Sequence, residues 1–197
     1  MKVMRTKYRG KWMVLLLAAV LPALVSPLGA TDIFKARMFT GRAPVEPSVV
    51  SIRIEIESWT TPGEIRQLQD VLSQTGIEAM LNTFNGMKKG VVRFMYARGW
   101  NLPIHTAQVV PTEKGKKIVL MLNRQGWDPG AAQTGSRHYF MCIELNLNEK
   151  GKGEGRFYED AQMELDSTLG TIKLGAYDGA PRSLPQVQEV IKKTPGS

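Results

Sequence analysis

The sequence predicts an α+β fold, a large antiparallel, curled or barrel-like sheet with two adjacent short helices inserted near its start. Three observations carry this. Val50, Ile52, Ile54 and Ile56 alternate with Ser51, Arg53, Glu55 and Glu57, the period-2 pattern of a half-buried strand. Thr61-Pro62-Gly63-Glu64 then reads as a helix start, with Thr as N-cap, Pro at N1 and Glu completing a capping box. After residue 90 every apolar stretch is short, β-rich and bounded by Gly, Pro, Asn or Lys, the signature of an antiparallel meander. Strand, two helices, then consecutive strands is also the order of the helix-grip fold, which is the alternative. Its long C-terminal helix finds only the short stretch 184–194 here.

In chain order, residues 31–47 form an N-terminal arm or edge strand ahead of an α+β domain over 48–197. Within the arm, Phe34, Ala36 and Met38 alternate weakly with Lys35, Arg37 and Phe39. Ile65, Leu68 and Leu72 give the first helix an apolar stripe, and Gly76 supplies its C′ position. Ile77, Met80, Leu81 and Phe84 share one face of the second helix, which Asn85-Gly86 stops. Strands are expected at 91–97, 104–111, 116–123, 137–147, 155–165 and 170–176. The tail 181–194 suits either a short helix or an edge strand, because Pro185 and its β-branched residues compete with a helical stripe.

Residues 1–30 read as a signal peptide. Lys2, Arg5, Lys7, Arg9 and Lys11 precede an apolar run from Trp12 to Val25, and Pro27, Gly29 and Ala30 form a helix-breaking tail. Export to the periplasm or beyond, with cleavage near Ala30, is the expectation. This changes the charge argument. The whole chain has 197 residues and a net charge of +8, but residues 31–197 carry 21 basic and 18 acidic residues, a net of +3. A nucleic-acid role argued from total charge therefore fails. A single cysteine excludes a disulfide scaffold, and one cysteine with two histidines excludes a structural zinc site.

Several stretches resemble those of a family of small exported bacterial proteins of unknown function. They are Phe39-Thr40-Gly41, the stretch from Ile52 to Thr61, Gly99-Trp100-Asn101, and the stretch from Ile143 to Gly155. These are strand and turn patterns. The resemblance implies export and one β-rich domain, and carries over no site residue.

The chemistry-bearing residues are few. Cys142 paired with a histidine would suggest a thiolate nucleophile, but His138 lies four residues away on the expected strand, roughly 13 Å at ~3.3 Å per residue. The surrounding run from Tyr139 to Leu147 is apolar and points to a packing residue. His105, His138, Asp128 and Glu144 lack metal-ligand spacing, and Asn146 to Glu154 reads as a Gly-rich hairpin turn rather than a calcium loop. Glu55, Glu57, Glu144, Glu159, Asp160 and Glu164 are strand-borne acids with no distinguishable catalytic pair. Nothing implies a cofactor.

Two loops share the form R…G-W-[N/D]…P and place Trp100, Asn101, Trp127 and Asp128 as candidate ligand-binding residues. In an up-and-down meander these loops fall at one rim. Lys88, Lys89, Lys114, Lys116 and Lys117 then fall at the other, a basic rim able to meet an anionic surface. The expected function is a non-enzymatic envelope domain that binds a small ligand or partner. The alternative is a hydrolase or isomerase with an unrecognised acid and base.

Overall fold

The computed structural model describes residues 31–39, 49–95, 100–124 and 138–190. Two strands open the chain, β1 (Asp32–Phe39) and β2 (Val49–Ile56), followed by helices α1 (Pro62–Thr75) and α2 (Ile77–Gly86). The strands that follow are β3 (Gly90–Phe94), β4 (Trp100–Ile104), β5 (Thr106–Thr112), β6 (Gly115–Asn123) and β7 (Phe140–Asn148). The last three are β8 (Lys152–Asp166), β9 (Thr171–Tyr177) and β10 (Arg182–Val190). All ten belong to one antiparallel sheet in the order β4-β3-β2-β1-β10-β8-β7-β6-β5, with β9 added on β8.

Four expectations are corrected. β4 and β5 do not pair with each other, so the hydrogen-bonded order is an open path and not the curled, barrel-like sheet expected. The physical reason is local. They are successive arms of one segment joined by His105 alone, and antiparallel neighbours need a hairpin of at least about two residues between them. β4 instead pairs with β3 and β5 with β6, while His105 N donates to Met121 O at 3.1 Å. The arm is neither loose nor an edge, because β1 has β2 on one side and β10 on the other. The tail is strand β10, hydrogen-bonded to β1 and β8, so the helix-grip alternative lacks its final helix. Trp100 and Asn101 open β4 rather than occupying a loop, since Leu102 and Ile104 alternate into the core from there.

The helices start and stop as their residues dictate. The Thr61 side chain accepts from Glu64 N at 3.2 Å, and Glu64 Oε2 accepts from Thr61 N at 2.8 Å, a complete capping box. Gly76, at φ 93°, lets the chain leave α1 and enter α2 without an intervening loop.

Two apolar clusters organise the packing. The first lies on one face of the sheet and includes Phe34, Met38, Ile54, Phe94, Leu120 and Phe157, all essentially unexposed. The second lies on the opposite face, where Ile65 and Leu68 of α1 and Met80 and Phe84 of α2 cover Met121, Phe140, Cys142 and Tyr158. β6 and β7 are therefore buried on both faces, which explains the continuous apolar run Ile118–Leu122. The helices lie over β6–β9 and leave the outward side chains of β1, β2 and β3 uncovered. The edge of β5 is occupied as well. Thr60 N donates to Ala107 O at 2.7 Å, Ala107 N donates to Thr60 Oγ1 at 2.8 Å, and Gln108 bonds Gly170 O and Ile172 N.

Candidate functional site: a cationic row on the uncovered face

Alternation in β1, β2 and β3 sends Phe34, Ala36, Ile52, Ile54, Val92 and Phe94 inward. The same alternation sends Lys35, Arg37, Arg53 and Arg93 outward. Register then aligns them. Gln188 pairs with Lys35, Lys35 with Arg53, Arg53 with Arg93, and Arg93 with Asn101. Five adjacent strands thus present one row, Gln188–Lys35–Arg53–Arg93–Asn101, with three cations directly opposite one another. Directly opposed side chains have Cβ atoms about 4.5–5.5 Å apart, and like charges there are destabilising.

One carboxylate serves this row. Glu55 accepts from Arg53 Nε at 2.6 Å and from Arg93 Nη2 at 3.1 Å. The hydrogen bond from Arg93 holds the Glu55 carboxyl below its ordinary value. Desolvation opposes that shift, and Arg53 adds to it. Among the described residues no carboxylate lies within ion-pairing distance of Lys35 or Arg37. Among the described residues Glu55 is thus the one carboxylate ion-paired with Lys35, Arg37, Arg53 or Arg93.

A groove of about 500 Å³ crosses it, lined by Lys35, Arg37, Ser51, Arg53, Gln186 and Gln188 among others. Gln186 is shaped for it. Leu184 and Val187 both point inward although three residues apart, so β10 bulges between them, and Gln186 takes φ 59°. A non-glycine residue in that left-handed region costs on the order of 1 kcal/mol. Strain, a bulge and opposed cations thus converge on one groove.

The residues anticipated from the sequence are distributed differently. Asn101 is exposed and ends the cationic row. Trp100 pairs with Phe94 through its backbone, and its side chain lies outside the described residues, as do Trp127 and Asp128. The basic rim is dispersed. Lys89 is 7% exposed, and its Nζ donates to Glu64 Oε1 at 2.6 Å and to Trp59 O at 3.5 Å. Lys88 and Lys89 precede β3, which starts opposite Ile104, well short of the Thr112–Gly115 turn. They cannot share that rim, because residues 100–112 run through two pairings rather than one strand between two turns.

Lys114, Lys116 and Lys152 do share a groove of about 620 Å³, but Glu113 and Glu154 line it too. Lys116 Nζ lies 2.8 Å from Glu189 Oε1 and 5.8 Å from the Phe34 ring centroid, and Lys117 Nζ lies 2.5 Å from Glu144 Oε1. Lys116 and Lys117 are thus taken up in local ion pairs. A smaller cleft of about 260 Å³ gathers Glu78, Asn82, Asn85, Asn123 and the half-exposed Tyr139. There Asn123 Nδ2 already donates to Asn85 Oδ1 at 2.7 Å.

Three of the other strand-borne acids are individually engaged. Glu144 meets Lys117, Glu159 meets Arg182 at 2.7 Å, and Asp160 meets Arg124. Residues 146–154 form the β7–β8 hairpin, in which Asn148 Oδ1 accepts from Lys150 N and Lys152 N. His105 is buried, with Nδ1 3.0 Å from Met87 O and its ring 4.8 Å from that of Phe84. The carbonyl makes Nδ1 the donor. Burial pushes the imidazole pKa down, against the opposing effect of the backbone carbonyls of Met87 and Phe84. Among the described residues no group of three or more His, Cys, Asp and Glu is placed to hold a metal ion.

Cys142 is fully buried beneath the helices, opposite Met121. Desolvation, helped by Glu144, pushes its thiol far above the ordinary value. The native protein should therefore resist thiol reagents until it unfolds. Cys142→Ala should cost about 1 kcal/mol or more through a small cavity, read as a lower urea midpoint. Fast labelling of the folded protein would show that the site opens.

Sequence reasoning noted Lys35, Arg37, Arg53 and Asn101 only singly, and Arg93 not at all, because facing them requires the strand register. The available signal was the placement of basic residues at the outward positions of three short strands. No protein-family model, curated protein or solved structure matches the chain.

Proposed function

We propose that this protein is an exported, non-enzymatic binding domain of the cell envelope that holds anionic groups on the cationic row. The observation that carries the reading is the direct opposition of Lys35, Arg53 and Arg93. Such a row weakens the sheet unless an anion bridges it, and Glu55 reaches only two of the three. Lysine and arginine side chains around a groove suit phosphate, sulfate or carboxylate groups, the arginines bidentately. Gln186, Gln188, Ser51 and Asn101 add neutral hydrogen-bonding groups at its borders. The charged start followed by an apolar run supports export, as does the resemblance to small exported bacterial proteins. The ion pairing of Glu144, Glu159 and Asp160 favours binding over acid–base chemistry.

A soluble polyanion tests this. Inositol hexakisphosphate should bind the protein, with affinity falling as salt rises. Lys35→Gln with Arg37→Gln and Arg93→Gln should weaken binding at least tenfold and flatten the salt dependence. Lys35→Thr alone should weaken binding while raising the unfolding free energy by a few tenths to about 1 kcal/mol, because it removes a like-charge pair. Equal binding by wild type and triple variant, or none by wild type, would overturn the reading.

A further inference from the structure

The cationic row does not end in polar surface. Along the same outward positions, β1 continues from Lys35 and Arg37 to Phe39, β2 runs back from Arg53 and Ser51 to Val49, and Arg93 is followed by Met95. Phe39 pairs directly with Val49, while Met95 N donates to Ser51 O at 2.9 Å, which sets Met95 opposite Ser51 and diagonal to Val49. The exposures of Phe39, Val49 and Met95 are 43%, 48% and 63%. Scattered exposed apolar residues need no explanation, but a contiguous group beside an underpaired cation cluster does.

We propose that the anionic group bound here belongs to a lipid bilayer, and that this face docks on an anionic membrane surface with Phe39, Val49 and Met95 entering the headgroup layer. This rests on the anion-binding reading and adds its source. Because all these side chains leave the sheet on one side, a plane laid on the face meets cations and apolar groups together. Arg37 lies two residues from Phe39, about 7 Å along the strand, and Lys35 lies four residues away, about 13 Å. With the face laid flat these distances are lateral, so the cations lie beside the apolar residues at headgroup level while the apolar side chains reach into an interface layer roughly 5–10 Å deep. Charge complementarity selects the occupant. Four cations sharing one ion-paired carboxylate suit a surface of negative potential, whose attraction fades within about a Debye length of 8–10 Å. A soluble polyanion would use the cations and leave the apolar trio without a role. Among the described residues no helix is long and apolar enough to cross a membrane, and the proposed contact is carried by a sheet face.

The test uses the protein recovered after export, and vesicles of phosphatidylcholine alone or with 30% phosphatidylglycerol. Wild type should sediment with the anionic vesicles only, and less at high salt. Lys35→Gln with Arg37→Gln and Arg93→Gln should weaken this about 100-fold, since each cation near such a surface counts roughly fivefold. Phe39→Ser with Val49→Ser should weaken vesicle binding about tenfold or more and leave inositol hexakisphosphate binding unchanged, since neither residue lines the cationic groove. All five positions lie on the uncovered face, and circular dichroism checks that each variant folds. If the apolar variant binds vesicles like wild type, the apolar residues do not enter the headgroup layer; if wild type binds the soluble polyanion but no vesicles, the bilayer is not the source; either result overturns the docking proposal and leaves the anion-binding reading standing. If wild type binds neither, both fall.

Discussion

Phe84→Ala should lower the unfolding free energy by about 3–5 kcal/mol. Phe84 is unexposed and stands where α2, the β4–β5 junction and β7 meet. Its ring lies 4.8 Å from that of His105 and 5.0 Å, edge-on, from that of Phe140. Truncation therefore removes an aromatic pair as well as buried area. The cavity cannot collapse easily, because strands on one side and a helix on the other hold its walls. At a urea slope of about 2 kcal/mol per molar, the midpoint should fall by roughly 1.5–2.5 M with the slope unchanged. Phe39→Ala, on the uncovered face, should shift stability by less than about 0.5 kcal/mol. His105 supplies a second readout. Burial now holds its pKa low, and water admitted by the cavity should raise it, visible by NMR titration. A loss below 1 kcal/mol would mean that α2 is not the lid of this cluster.

Glu64→Ala should cost about 3 kcal/mol, because one carboxylate serves two structures. It closes the capping box of α1, and it neutralises Lys89, whose side chain is only 9% exposed. Removing it leaves a largely buried ammonium with Trp59 O at 3.5 Å as its remaining hydrogen-bond acceptor among the described residues. Lys89→Met should cost less than Glu64→Ala, since it deletes the buried charge instead of orphaning it. Partial burial pushes the Glu64 carboxyl up, but hydrogen bonds from Lys89 and Thr61 outweigh it and the net shift is down. A depressed carboxylate stabilises the fold fully above the unfolded value of 4.5, and that contribution is lost as pH falls below it. His105 acts in the same direction in a higher window. Its folded pKa lies below the unfolded value of 6.5, so acidification below 6.5 favours the unfolded, protonated form. Urea midpoints of wild type should thus decline in two stages. Glu64→Ala should shrink the lower stage, to which Glu55 also contributes, and retain the upper one. An unchanged lower stage in that variant would assign it to other carboxylates.

Much of the fold was legible because it is written at short range. The Thr61–Glu64 cap, the Gly76 break and the alternation of β2 depend on residues within about four positions of one another, and the structure reproduces each. The same holds for the β7–β8 hairpin at Asn148–Gly151. The tail was undecidable locally. Pro185 with Val187 and Val190 suits strand or helix, and the free edges of β1 and β8 choose strand. The basic rim dissolved for a similar reason. A sequence shows that Lys89 and Lys116 are cations near turns, but not that Glu64 and Glu189, 25 and 73 residues away, neutralise them.

The chain by itself determined which side chains leave each strand inward and which leave outward, since backbone pleat makes facing a matter of parity. Lys35, Arg53 and Arg93 were outward residues before any partner was known. Only the tertiary structure decided that they stand in one row. Strand order and register are set by long-range hydrogen-bond pairing and by burial of both apolar clusters, and a shift of one residue would move every side chain to the opposite face. The cationic face is a property of that register, as is the apolar trio of Phe39, Val49 and Met95 beside it.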